Sequence, residues 1–207
     1  MIKRLLSALG ALIVLSGATP AWAGSGFLMI WIQPKLVPAT PPILGFPSWE
    51  RFVQWQGCPA EVLIAETGQV NAVYQSGPNR ILIFRGLMDF FQNDELSIAA
   101  VLAHEAGHCL QVRGKSPWLD PNKPGYSVGN ATPFGWERDA EAHSVYILRI
   151  LGYDGAAINR ANRVKFAQRD GRALDRDTGT HGSVETMSDW ARLHDGIGRS
   201  EIQAPLR

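Results

Sequence analysis

Five adjacent residues, His104-Glu105-Ala106-Gly107-His108, carry the side chains in this sequence best suited to metal chemistry. They end an apolar run, Leu96-Ser97-Ile98-Ala99-Ala100-Val101-Leu102-Ala103, whose composition is helical rather than strand-like. On a helix, residues four apart share a face, so His104 and His108 project together. Two neutral imidazoles at that spacing can share a zinc ion, and a glutamate beside them can serve as a general base. A chance match inside an amphipathic helix is the alternative. Ionisable groups among small apolar residues are costly to bury unless paired or metal-bound, which favours the metal.

Catalytic zinc takes three protein ligands and keeps one position open for water. The other histidines are His143, His181 and His194, and a downstream helical stretch offers carboxylates in Glu137-Arg138-Asp139-Ala140-Glu141. Glu137 and Glu141 are four apart and share a face, with a small residue beside them that suits close helix packing. Glu137 is therefore the expected third ligand. Glu141 is expected to orient an imidazole from behind or to assist proton transfer. The competing interpretation of this stretch is a solvated acidic face offset by Arg138. His143 lies six positions from Glu137, about 120° around the helix and off the ligand face. Cys109 follows His108 and points about 100° away, so its expected role is structural. It either pairs with Cys58 as a disulfide or both remain buried thiols.

Several elements must hold these groups. Asn93 or Asp94 caps a helix expected over residues 94–113 and stopped by Gly114, and a second helix is expected over 136–151, ended by Gly152. Upstream, Ala60 to Glu66, Asn71 to Gln75 and Arg80 to Phe84 read as strands, the last two joined by the turn Ser76-Gly77-Pro78-Asn79. Short helices are expected at Trp49 to Trp55 and Arg85 to Phe91, and further ones at Ala156 to Gln168 and Val184 to Leu193. Residues 24–47, with five prolines, are expected to run extended over the surface, and Gly114 to Gly135 reads as a long functional loop. The expected fold is α+β: mostly helical, with a small antiparallel sheet beside the helix that carries His104.

Residues 1–23 read as a secretory signal. Lys3 and Arg4 precede an apolar stretch too short to span a bilayer, and Ala21-Trp22-Ala23 supplies small residues before a cleavage point. Removal would leave residues 24–207 as one exported domain, periplasmic or extracellular, with no stable membrane span. It would also leave 18 of the 20 basic residues against 19 acidic ones, a balance that argues against nucleic acid as a partner. Oligomeric state has no signature in the sequence.

Taken in order, Asn71-Ala72, Arg80 to Leu87, Asn93-Asp94-Glu95-Leu96 through His108, Glu137-x-x-Ala140-Glu141 and Thr180-His181 resemble the zinc peptidases related to the CAAX prenyl protease, the HtpX heat-shock protease and periplasmic zinc-dependent proteases. The likeness runs from about Asn71 to Arg192. It implies a zincin-like fold of the gluzincin type. It further implies one zinc ion per chain on His104, His108 and Glu137, with Glu105 as general base. Two departures stand out: the family's usual Ala-Asp is Ala140-Glu141 here, and the proline after Thr-His is Gly182.

The resemblance implies a zinc-dependent endopeptidase acting on polypeptide in extended or unfolded segments. Glu105 would take a proton from zinc-activated water and pass it to the leaving amine. His181 would donate to the oxyanion or gate the open metal position, unless it is only a loop histidine. The strand at Asn71 to Gln75 would offer an edge to which a peptide adds. A second reading, from another class, is a latent or inactive zinc-binding, chaperone-like peptide binder. Its cleft would be plugged by the amino-terminal arm or by residues 202–207.

Overall fold

The topology turns on a strand inserted out of sequence order. The structure, a computed structural model, describes residues 34–115 and 133–173. The expected signal, residues 24–33 of the amino-terminal arm, the tail at 202–207, His181, His194, the helix at 184–193 and most of the long loop lie outside the described residues. Four strands form one sheet: β1 (Leu36–Pro38), β2 (Glu61–Ala65), β3 (Ala72–Gln75) and β4 (Arg80–Phe84), in the order β1-β2-β4-β3. β3 and β4 make the expected antiparallel hairpin, with Asn79 taking the positive φ of 51° that closes the turn. β4 then slots in beside β2 and runs parallel to it, Val62 opposite Ile81 and Ile64 opposite Ile83.

The sheet is thus mixed, which corrects the antiparallel expectation. The physical reason is burial. β2 and β4 are continuous apolar runs, Val62-Leu63-Ile64 and Ile81-Leu82-Ile83, whose members on both faces are buried. Such runs belong in the middle of a sheet. β3, partly buried at every position, takes the edge. On the other edge, β1 pairs antiparallel with β2 and ends at Pro38, tolerated there because an edge strand can spare an amide.

Five helices are described: α1 (Trp49–Trp55), α2 (Arg85–Phe90), α3 (Glu95–Val112), α4 (Pro133–Ile150) and α5 (Gly155–Arg169). No helix among the described residues is long and apolar enough to cross a membrane. α4 begins three residues before the expected start, because Pro133 supplies a preset φ at a position where no helical amide is needed. α3 is the central element. The Asp94 carboxylate caps it by accepting the Ser97 amide at 2.9 Å, and Leu44 donates its amide to Glu95, fastening the Pro-rich segment to the same end. From Ser97 to Gln111 most of α3 is buried. α5 is pinned to its neighbours by polar contacts: Ser97 donates to Asn162 at 2.8 Å, and Asn159 donates to Ser144 at 3.1 Å.

Cys58 and Cys109 are bonded, with α-carbons 5.9 Å apart, and neither sulfur residue is exposed. The bond ties the turn after α1 to the residue that follows His108. It closes a loop of 51 residues in the unfolded chain, so its loss should cost about 2–5 kcal/mol. Denaturant unfolding of the Cys58→Ala/Cys109→Ala variant should show that loss. An unchanged midpoint would mean that α1 and α3 hold together without the bond.

Candidate metal centre

His104 and His108 leave α3 on one face, as their spacing requires, and their Nε2 atoms stand 3.1 Å apart. α4 brings Glu137 against them, with Oε2 3.0 Å from His104 Nε2 and 3.5 Å from His108 Nε2. These three atoms belong to the one group of metal-ligand type found among the described residues. Bonds of about 2.0–2.1 Å to a tetrahedral zinc would separate donors by about 3.3 Å, so the three distances fit that ion. The chemistry of the donors fits as well. Two imidazole nitrogens and a carboxylate oxygen facing one point repel one another unless a metal cation or a proton lies among them.

The convergence depends on how closely α3 and α4 approach. A Cβ on Gly107 would lie 2.9 Å from the Cα of Ala140 and 3.2 Å from its Cβ. Gly107 and Ala140 are therefore the contact point of the two helices. His104 and His108 flank Gly107, while Glu137 and Glu141 flank Ala140, so donors from both helices meet across this contact.

Glu141 reaches the far side of the first ring, its Oε2 3.5 Å from His104 Nδ1. Glu137 and Glu141 thus address the two nitrogens of one imidazole. The Glu141 carboxylate is gripped by Arg163 from α5, Nε to Oε1 at 2.8 Å and Nη2 to Oε2 at 2.9 Å. Burial raises the Glu141 pKa, but the Arg163 charge and the bonds from His104 and Arg163 outweigh it and hold the group ionised. Burial likewise works against charge on His104, yet Glu137 and Glu141 raise its pKa above the usual imidazole range. A metal must displace that proton to bind.

Glu105 is 7% exposed, and its Oε2 accepts the backbone amide of Tyr74 in β3 at 2.8 Å. The candidate base is therefore held by the edge strand. His143 points away from the metal donors, as its helical angle requires. Its Nε2 bonds Gln56 Oε1 at 3.1 Å, while Nδ1 has no partner among the described residues. Arg163 and the Tyr74 amide were not foreseen from sequence. The only cue for Arg163 is that a buried Glu141 needs a countercharge, and nothing local says which helix provides it.

Two imidazole nitrogens and a carboxylate oxygen converge around one point, with a further glutamate between the histidines, and could hold a metal ion. Residues 50–112, from α1 to the end of α3, match the model of peptidase family M48. The match includes His104, Glu105 and His108 and stops before Glu137. No curated protein matches the chain.

Two predictions follow from this geometry. Gly107→Ala should weaken metal binding at least tenfold in a chelator competition, even though alanine favours the helix by about 1 kcal/mol, because the new methyl must part α3 from α4. Unaltered affinity would show that the helices can slide without moving their donors. Burial, and then the charge on His104, lowers the His143 pKa to about 4. At this residue the folded chain binds fewer protons than the unfolded chain between about pH 4 and 6.5, so its contribution to stability should fall as pH drops through that window, by about 3 kcal/mol in total, against an opposing contribution from Asp139, whose pKa burial raises to about 6. Urea unfolding at several pH values should show a slope that differs from that of His143→Asn by this amount. An equal slope in the variant would assign it to other groups.

Proposed function

We propose that the protein is an exported zinc-dependent endopeptidase that cuts extended or unfolded protein segments, of the branch related to the HtpX and periplasmic zinc proteases. The observation that carries this reading is the set of three donor atoms, 3.0–3.5 Å apart, next to a buried glutamate on the same helix. His104, His108 and Glu137 would hold one zinc ion per chain. When bound, zinc supplies Lewis acidity and lowers the pKa of a coordinated water to about 7.

Glu105 performs the proton transfers. Its Oε2 is committed to the Tyr74 amide, which leaves Oε1 as the oxygen that accepts the proton of the attacking water. Glu105 then delivers that proton to the amine as the carbon–nitrogen bond breaks, and the water oxygen ends in the new carboxylate. Glu141, braced by Arg163, orients His104 by accepting from its Nδ1–H. His181 would donate to the developing oxyanion or gate the site.

β3 is the surface on which substrate would lie. The Phe84 amide donates to the Asn71 carbonyl, and the register pairs Val73 with Leu82. By alternation, the backbone groups of Ala72 and Tyr74 face away from β4. The Tyr74 amide serves Glu105, and the Ala72 amide with the carbonyls of Ala72 and Tyr74 can pair with an added peptide strand. Main-chain pairing favours extended chains and makes few demands on side-chain identity. Export would follow from removal of residues 1–23.

The mature protein should hydrolyse an unfolded, reduced protein when loaded with zinc. Glu105→Gln should keep one zinc per chain and lose activity by at least about 10²-fold. Glu137→Gln should lose zinc itself. If the zinc-loaded protein cuts nothing, with or without residues 24–33 and 202–207, the chaperone-like peptide binder becomes the better reading. A secreted mass that includes residues before Gly24 would remove the cleavage step.

A further inference from the structure

Gln111 sits one turn past His108 on α3 and is 5% exposed, yet both ends of its amide are bonded. Nε2 lies 2.7 Å from the Trp136 backbone carbonyl, and Oε1 lies 2.8 Å from His108 Nδ1. These contacts determine one another. A carbonyl oxygen only accepts, so the amide nitrogen must face Trp136. The amide oxygen then faces His108, and because it also only accepts, His108 Nδ1 must carry hydrogen. A neutral imidazole has one N–H, so the lone pair is left on Nε2, the atom that faces His104 and Glu137.

The Trp136 carbonyl belongs to the peptide unit whose nitrogen is that of Glu137. One buried amide therefore joins a donor on α3 to the backbone of a donor on α4. Its partner chemistry differs from that of His104, whose Nδ1 faces the charged Glu141. The amide oxygen accepts from His108 Nδ1 and carries no charge of its own. We infer that Gln111 is a positioning residue of the metal centre, which sets the His108 tautomer and links His108 to Glu137 through Trp136. This inference rests on the metal-centre reading above.

The test is zinc titration of the mature protein against a competing chelator, together with thermal unfolding in EDTA. Gln111→Met keeps the volume and removes both hydrogen bonds, so its zinc dissociation constant should rise about 10–100-fold. Its metal-free midpoint should stay close to that of the parent. Gln111→Glu keeps an acceptor for His108 but no donor for Trp136, and its constant should rise less. It also serves as the deciding variant should the methionine protein fail to fold, since parental affinity in the glutamate protein would then overturn the link to Trp136. Parental affinity in Gln111→Met overturns the inference. So does a loss of affinity matched by an equal loss of metal-free stability, which would make Gln111 a packing residue. A parent protein that binds no zinc overturns the metal centre itself, a result recognisable because it precedes any variant.

Discussion

The contact between Gly107 and Ala140 is the constraint on which the rest depends. Two helices normally pack with axes about 8–10 Å apart, the distance set by the side chains at the crossing. Here one crossing residue has no side chain and the other has a methyl group, and a Cβ on Gly107 would reach within 2.9 Å of the opposing Cα. That closeness lets two imidazoles from one helix and a carboxylate from the other present atoms to a common point without stretching any side chain. It also buries what lies around it. Glu105, Glu141, Gln111 and His143 are all shielded from solvent, and each buried polar group needs a partner.

Charge follows from that burial. Glu105, Glu137 and Glu141 put three carboxylates on or beside two imidazoles, and Arg163 offsets Glu141 through a two-pronged pair. The two remaining negative charges match a divalent cation. Before one binds, the carboxylates hold a proton on His104 instead, which is how a buried site stabilises itself without its ion. The Arg163 pair also gives a physical account of Glu141, where a shorter aspartate is usual in the resembling peptidases. The longer side chain is clamped at both oxygens by a helix that contributes no ligand of its own.

Legibility in the sequence tracks the range of the interactions. The helices α1, α2, α3 and α5 agree with their caps and periodicity to within a residue or two, because capping by Asp94 and the stops at Gly114 and Gly152 are local. Helical spacing relates side chains over one turn, so the shared faces of His104 with His108 and of Glu137 with Glu141 were legible, and the structure brings His104, His108 and Glu137 together. Contacts between elements left weaker traces. The Cys58–Cys109 bond was one of two open readings, since only the fold brings those α-carbons within 5.9 Å. Arg163, 22 residues from Glu141, and the Tyr74 amide, 31 residues from Glu105, left none.

The one topological error shows how function depends on pairing order. Had β2, β3 and β4 formed a simple antiparallel meander, β3 would lie in the middle, with both rows of its backbone groups used in the sheet. β4 would then be the edge, and no β3 amide would be available to Glu105. Insertion of β4 between β2 and β3 reverses this. It covers the two most apolar strands, as their composition demands, and leaves β3 at the rim against α3. The Tyr74 amide then turns outward and meets the Glu105 carboxylate. The burial of Val62-Leu63-Ile64 and Ile81-Leu82-Ile83 therefore does more than stabilise the sheet. By forcing the parallel pair, it places on the edge the strand that steadies the candidate base.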